Sequence, residues 1–195
     1  MPWMRSLAVP VLAGLGLTHP AQAAENVDDA TVAEARSLAQ GFMTELKQAL
    51  TEAIEEGGPA NAIGVCSRAA PGIATELSVD SGWAVGRTAL RVRNPRNAPS
   101  PEERAVLLRF QERAQAGEDM ASLEHVAIEG EGESRYIHYM KAIPTADLCT
   151  TCHGSDIEPG LLETIRAAYP QDAATGFDAG DLRGAFTFVK PLASD

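Results

Sequence analysis

The sequence predicts an α+β domain: an antiparallel sheet flanked by helices and preceded by a long N-terminal helix. Three observations carry that reading. Apolar residues recur at three- and four-residue spacing from Val32 to Ile54, two extended runs flank Gly130-Glu131-Gly132, and the segments follow the order helix, strand, helix, hairpin, helix, strand. The 195 residues are enough for one ordinary domain. With 45% hydrophobic and 22% charged residues, the balance is that of a soluble globular chain.

Taken in order, Val27 to Gly57 reads as one helix. Asp28 or Asp29 is its N-cap, and Gly57-Gly58 is its predicted stop. Val32, Ala35, Leu38, Ala39, Phe42, Leu46, Leu50 and Ile54 make one buried face. Pro59 restarts the chain, and Asn61 to Arg68 suits a short helix carrying Cys66. Pro71 has no N–H to return to the Ser67 carbonyl, so this helix should kink or stop just after Cys66, with a further turn or two over Ile73 to Leu77. Ser81-Gly82 marks a turn, and Trp83 to Val92 reads as a strand that frays into Arg93-Asn94-Pro95. Ser100-Pro101-Glu102-Glu103 is a capping box with proline at the first helical position, opening a helix that runs to Gly117. Leu123 to Ile128 and Arg135 to Ile143 form the hairpin. Pro159 opens a helix ending at Tyr169-Pro170, and Gly184 to Leu192 is the last strand.

Residues 1–23 read as a signal peptide and 24–195 as the single mature domain. Met1 to Arg5 supply a positive start, Ser6 to Leu17 a short apolar run broken by Pro10, and Ala21-Gln22-Ala23 the small-x-small cleavage pattern. The run is shorter than a membrane span, so the expectation is export to a bacterial periplasm with no anchor after cleavage. A formal charge of -11 argues against nucleic acid as a partner, because non-specific affinity for it depends on clustered basic charge.

Cys149-Thr150-Thr151-Cys152-His153 is the most informative stretch. C-x-x-C-H is the attachment signature of c-type haem: the two cysteines add to the vinyl groups of one porphyrin, and the adjoining imidazole supplies an axial ligand. Two other uses compete. One is a Cys149–Cys152 redox disulfide, which lacks a preceding βαβ pattern; the other is structural zinc, which lacks a second ligand pair. No His, Met or Cys follows His153, so a second axial ligand of the usual kinds comes from upstream. The candidates are Cys66, His125, His138, Met43, Met120 and Met140, with Cys66 singled out as the unpaired cysteine of an exported chain.

Several segments carry a resemblance. They are Ala62-Ile63-Gly64-Val65-Cys66 with Ala70-Pro71-Gly72, Ser81 to Thr88, Arg93-Asn94-Pro95-Arg96-Asn97-Ala98-Pro99, the haem motif, Tyr169 to Gly176, and Gly180 to Ala185. From about Ala60 to Val189 the chain resembles mono-haem c-type proteins with a PAS-like fold. The resemblance implies one haem c, attached through Cys149 and Cys152, with His153 and Cys66 as axial ligands. Arg87, Arg91 and Arg93 are concentrated in an acidic protein, and Arg183 lies in another of the matching segments. Propionates need cationic partners, so contact with at least one of Arg91, Arg93 and Arg183 is expected.

The function expected is periplasmic electron transfer, or sensing of redox state or a diatomic gas, through an unidentified redox or signalling partner. Two protein ligands leave no open iron position, so catalysis is not expected. The alternative is a haem enzyme, a peroxidase or nitrogen-oxide reductase, whose distal ligand is displaced.

Overall fold

A computed structural model describes residues 26–192. The signal-peptide reading of residues 1–23 lies outside the described residues. Four strands form one antiparallel sheet in the order β1-β4-β3-β2: β1 (Ala84–Thr88), β2 (Glu124–Glu129), β3 (Tyr136–Pro144) and β4 (Leu182–Pro191). Side chains alternate across it. Ile137, Tyr139, Phe186 and Phe188 face α1 (Asp29–Gly64), whereas Met140, Ala142 and Ala185 face α3 (Pro101–Gln115). Each face is therefore covered by a helix, which is the predicted α+β arrangement. Among the described residues no helix is long and apolar enough to cross a membrane.

α1 begins where Asp28 accepts from the Thr31 N–H at 2.9 Å, and it buries Val32, Ala35, Ala39, Phe42 and Leu46 against the sheet. Gly57-Gly58 breaks the helix without ending it. Gly58 has φ 73°, a left-handed conformation that suits glycine, and Pro59 starts a second arm where its missing N–H costs nothing. The Asn61 side chain donates to the Ala53 carbonyl at 3.0 Å and ties the two arms across the break.

That second arm passes through a π-helical turn, Val65–Ala69, directly into α2 (Ala70–Ser81). The expected interruption around Cys66 takes this form instead of a stop. The Ala70 N–H returns to Val65, five residues back. A wider turn moves the Ser67 carbonyl away from the Pro71 ring, which would collide with it in a regular α-helix.

β1 ends at Thr88, not at the expected Val92. The Ala89 N–H turns to the Asn97 carbonyl, and the Val92 carbonyl accepts from Ala173, so residues 89–93 brace a loop. Where β1 ends, β4 comes close. A Cβ on Gly184 would lie 2.5 Å from the Thr88 carbonyl oxygen. Gly184→Ala should accordingly cost about 1–3 kcal/mol through forced separation of the two strands, read as a lower urea midpoint with unchanged slope.

α3 carries the predicted capping box, with Ser100 and Glu103 satisfying each other's backbone N–H groups. The Cys149–His153 motif lies on a short helix, α4 (Asp147–His153), and α5 (Pro159–Ala168) follows with Glu158 as its cap.

Candidate functional site

α4 sets Cys149 and Cys152 three residues apart, hence on one helical face, with His153 at its last position. All three residues line one cavity whose opposite wall is an apolar stripe of α1, including Met43, Leu46, Leu50 and Ile54. Cys66, in the π-helical turn, lines the same cavity, as do Arg87, Arg93, Tyr169 and Arg183. None of the three cysteines is in a disulfide. Among the described residues no group of three or more His, Cys, Asp or Glu side chains is placed to hold a metal ion without a further ligand source.

His153 is held in one tautomer. Its Nδ1 lies 2.6 Å from the Ala174 carbonyl oxygen, which can only accept, so Nδ1 carries the proton and the lone pair is on Nε2. Burial pushes the imidazole pKa down to about 2, and the positive charges of Arg183 and Arg93 push in the same direction. A neutral imidazole with a free Nε2 is the form that ligates metals.

The orienting carbonyl belongs to a loop that is itself fastened to α4. Gly176 donates to the Gly154 carbonyl at 2.8 Å, Phe177 donates to the His153 carbonyl at 2.9 Å, and Asp172 accepts from the Ala174 N–H at 2.9 Å. The Phe177 ring stands edge-on to the imidazole, with centroids 6.4 Å apart.

Arg93 binds these parts together. Its Nη2 donates to the Cys152 carbonyl at 2.6 Å, the Asp172 carboxylate at 3.0 Å and the Ala174 carbonyl at 3.3 Å. Arg93 and Asp172 are both buried, at 7% and 4% side-chain exposure, so the pair is shielded from solvent. The Arg93 Nε is buried with no protein partner.

Two further polar groups of the cavity wall were not assigned from the sequence. Arg87 was visible only as one of several clustered arginines; its guanidinium lies over the Phe42 ring at 5.5 Å, and burial pushes its pKa down. Tyr169 was read only as a helix end. Its hydroxyl is buried without a partner, and burial raises its pKa, with Ser67 offsetting part of that shift short of hydrogen-bond geometry.

Of the candidates for a second axial ligand, Cys66 and Met43 reach the cavity. The others do not. His138 has both ring nitrogens engaged, by Glu129 and by Thr187, each at 3.0 Å. Met140 is packed in the core on the α3 side, His125 is its cross-strand neighbour, and Met120 packs against the same core. Arg93 and Arg183 line the cavity, whereas Arg91 does not: it lies over Phe177 at 4.0 Å and donates to the Ala173 and Gly176 carbonyls.

Fold and site together define an α+β domain, with helices on both sheet faces, whose cavity combines a C-x-x-C-H helix, a third cysteine and three arginines. The Tll0287-like family (Tll0287) matches residues 21–191, and the chain belongs to it. The fold is similar to the crystal structure of the cyanobacterial heme-protein Tll0287, with TM-score 0.65 and 22% identity over 87% of this chain and 99% of that one. No curated protein matches the chain.

Proposed function

We propose that this protein carries one haem c in the cavity, attached through Cys149 and Cys152, with His153 and Cys66 as axial ligands. The likeness to a protein described as a heme-protein supports the reading. The observation that carries it is the composition of the cavity wall. It combines two thiols on one helical face, a neutral imidazole with Nε2 free, an apolar stripe and three arginines, and no carboxylate among the described lining residues. A planar apolar group bearing two carboxylates and needing two thiols and an imidazole fits that set. The orphaned Arg93 Nε is a donor for which such a group would supply the acceptor.

The group supplies a one-electron Fe(III)/Fe(II) couple; the protein supplies its surroundings. The Ala174 carbonyl orients His153 and raises its basicity as a ligand. Leu46, Leu50 and Ile54 exclude water from the opposite wall. With an imidazole and a thiolate committed to the metal, the role is electron transfer or redox or gas sensing in a PAS-like domain, not catalysis. The periplasm is the compartment that the leader-like N-terminus and the haem motif fit, and a separate redox or signalling protein is the partner implied.

The test is to express the chain with a cytochrome c maturation system and record its intact mass and alkaline pyridine spectrum. One added haem that resists acidified organic solvent is the expected result. A mass without haem, or haem that extracts, overturns the reading.

A further inference from the structure

We propose that Arg87 on β1 and Arg183 on β4 hold the two propionate carboxylates of the haem, an assignment that rests on the haem reading above. Among the described residues, the Arg87 guanidinium has no hydrogen-bond acceptor and no carboxylate partner; it lies over the Phe42 ring at 5.5 Å. Arg183 has one long hydrogen bond, 3.3 Å to the Arg91 carbonyl, and lies over Phe177 at 5.3 Å. A guanidinium that is largely buried and unpaired is costly, and the cost is removed when an anion meets it. The described cavity wall provides no Asp or Glu, in a chain with 27 of them. A guest bearing two carboxylates would supply the anions that this wall lacks.

The other two arginines differ: one is paired with a carboxylate and the other lies outside the cavity. Arg93 donates through Nη2 to Cys152, Asp172 and Ala174, and the Asp172 carboxylate already neutralises its charge. Arg91 donates to the Ala173 and Gly176 carbonyls, lies over the Phe177 ring and is outside the cavity lining.

Position gives a second line of support. Arg87 and Arg183 line the same cavity as His153 and Cys66. Burial, with repulsion from Arg93 and Arg87, pushes the Arg183 pKa down to about 10. β1 and β4 are hydrogen-bonded neighbours, with Arg87 opposite Phe186 and Arg183 three residues before it on β4, and both side chains line the cavity. Each can grip a carboxylate through two parallel N–H donors.

The experiment compares the haem-loaded wild type with Arg87→Gln, Arg183→Gln, Arg87→Lys and Arg91→Gln, using the propionate bending vibration in resonance Raman spectra and the midpoint potential. Each of the first two should move the vibration and lower the potential, because a cation favouring the reduced state is lost. Arg87→Lys keeps the buried charge without the planar fork. It should hold the potential near wild type while still moving the vibration, which covers the case in which a glutamine variant does not fold. Arg91→Gln should leave the vibration in place. A vibration unmoved in Arg87→Lys and Arg183→Gln, or moved by Arg91→Gln, overturns the assignment while the haem reading stands. Absence of covalent haem from the wild type overturns both.

Discussion

Asp172→Ala should lower stability by about 3–5 kcal/mol, read as a lower urea midpoint for the haem-loaded protein with an unchanged slope. Arg93 and Asp172 form a buried ion pair at 3.0 Å, and removing one partner leaves the other charge without solvent or counter-ion. The loss extends beyond the pair. Asp172 also accepts from the Ala174 N–H, and the Ala174 carbonyl orients His153, so the change reaches the imidazole through one residue. Asp172→Asn keeps a hydrogen-bond acceptor and should cost less. The double variant Arg93→Met/Asp172→Leu should recover much of the stability, because it removes both charges together. It should not recover the site, since the Cys152 and Ala174 carbonyls lose the donor that links them. Stability and haem environment should thus separate in the double variant. Equal stability of Asp172→Ala and wild type would contradict the account.

The parts legible in the sequence were those fixed by local chemistry. The stripe from Val32 to Leu46, the Ser100–Glu103 capping box and the hairpin around Gly130 need only neighbours a few residues away, and each forms where its pattern places it. Departures occur where distant segments decide. Gly57-Gly58 carries a legitimate stop signal, but Gly58 adopts a left-handed turn and Pro59 reopens a helix whose second arm packs back against the first. The strand from Trp83 fails after Thr88 because the loop that supports His153 claims the Val92 carbonyl. α4 is seven residues long, too short for an apolar period to reveal it.

The site divides in the same way. Cys149, Cys152 and His153 are contiguous and could be read directly. The partners that fix His153 are not: Ala174 acts through its carbonyl, which any residue type would supply, and only the fold brings it there. The arginines separate for a geometric reason. Arg91 and Arg93 are two apart, yet the chain between them is no longer a strand, so they do not share a face; Arg93 lines the cavity and Arg91 lies over Phe177 outside it.

Cys66→Ala should raise the midpoint potential of the haem-loaded protein by at least about 0.1 V, a modest share of the roughly 0.8 V over which axial ligands set haem potentials. The ferric electron paramagnetic resonance signal should lose its low-spin thiolate character at the same time. Cys66 lines the cavity that also holds His153, and the only other sulfur or imidazole candidate upstream of the motif to reach it, among the described residues, is Met43. A thiolate donates electron density and negative charge, so it favours the ferric over the ferrous state, and its removal shifts the couple upward. The π-helical turn is part of the reason this residue is placed to do so. Val65–Ala69 is wider than an α-turn and faces the cavity through Cys66, with Pro71 just beyond preventing a regular ladder. Met43→Leu preserves volume in α1 and serves as the comparison. It should leave the ferric signal and the potential close to wild type, and the opposite pattern, with Met43→Leu altering both and Cys66→Ala neither, would move the axial role from the π-helical turn to α1. His138→Ala should change neither, because that imidazole is already held by Glu129 and Thr187 on the α3 side of the sheet. Reduction should weaken the bond to sulfur more than the bond to imidazole, since the added electron removes the charge that the thiolate stabilised. Carbon monoxide should accordingly replace Cys66 and leave His153 in place, and a product spectrum lacking the imidazole ligand would contradict that order.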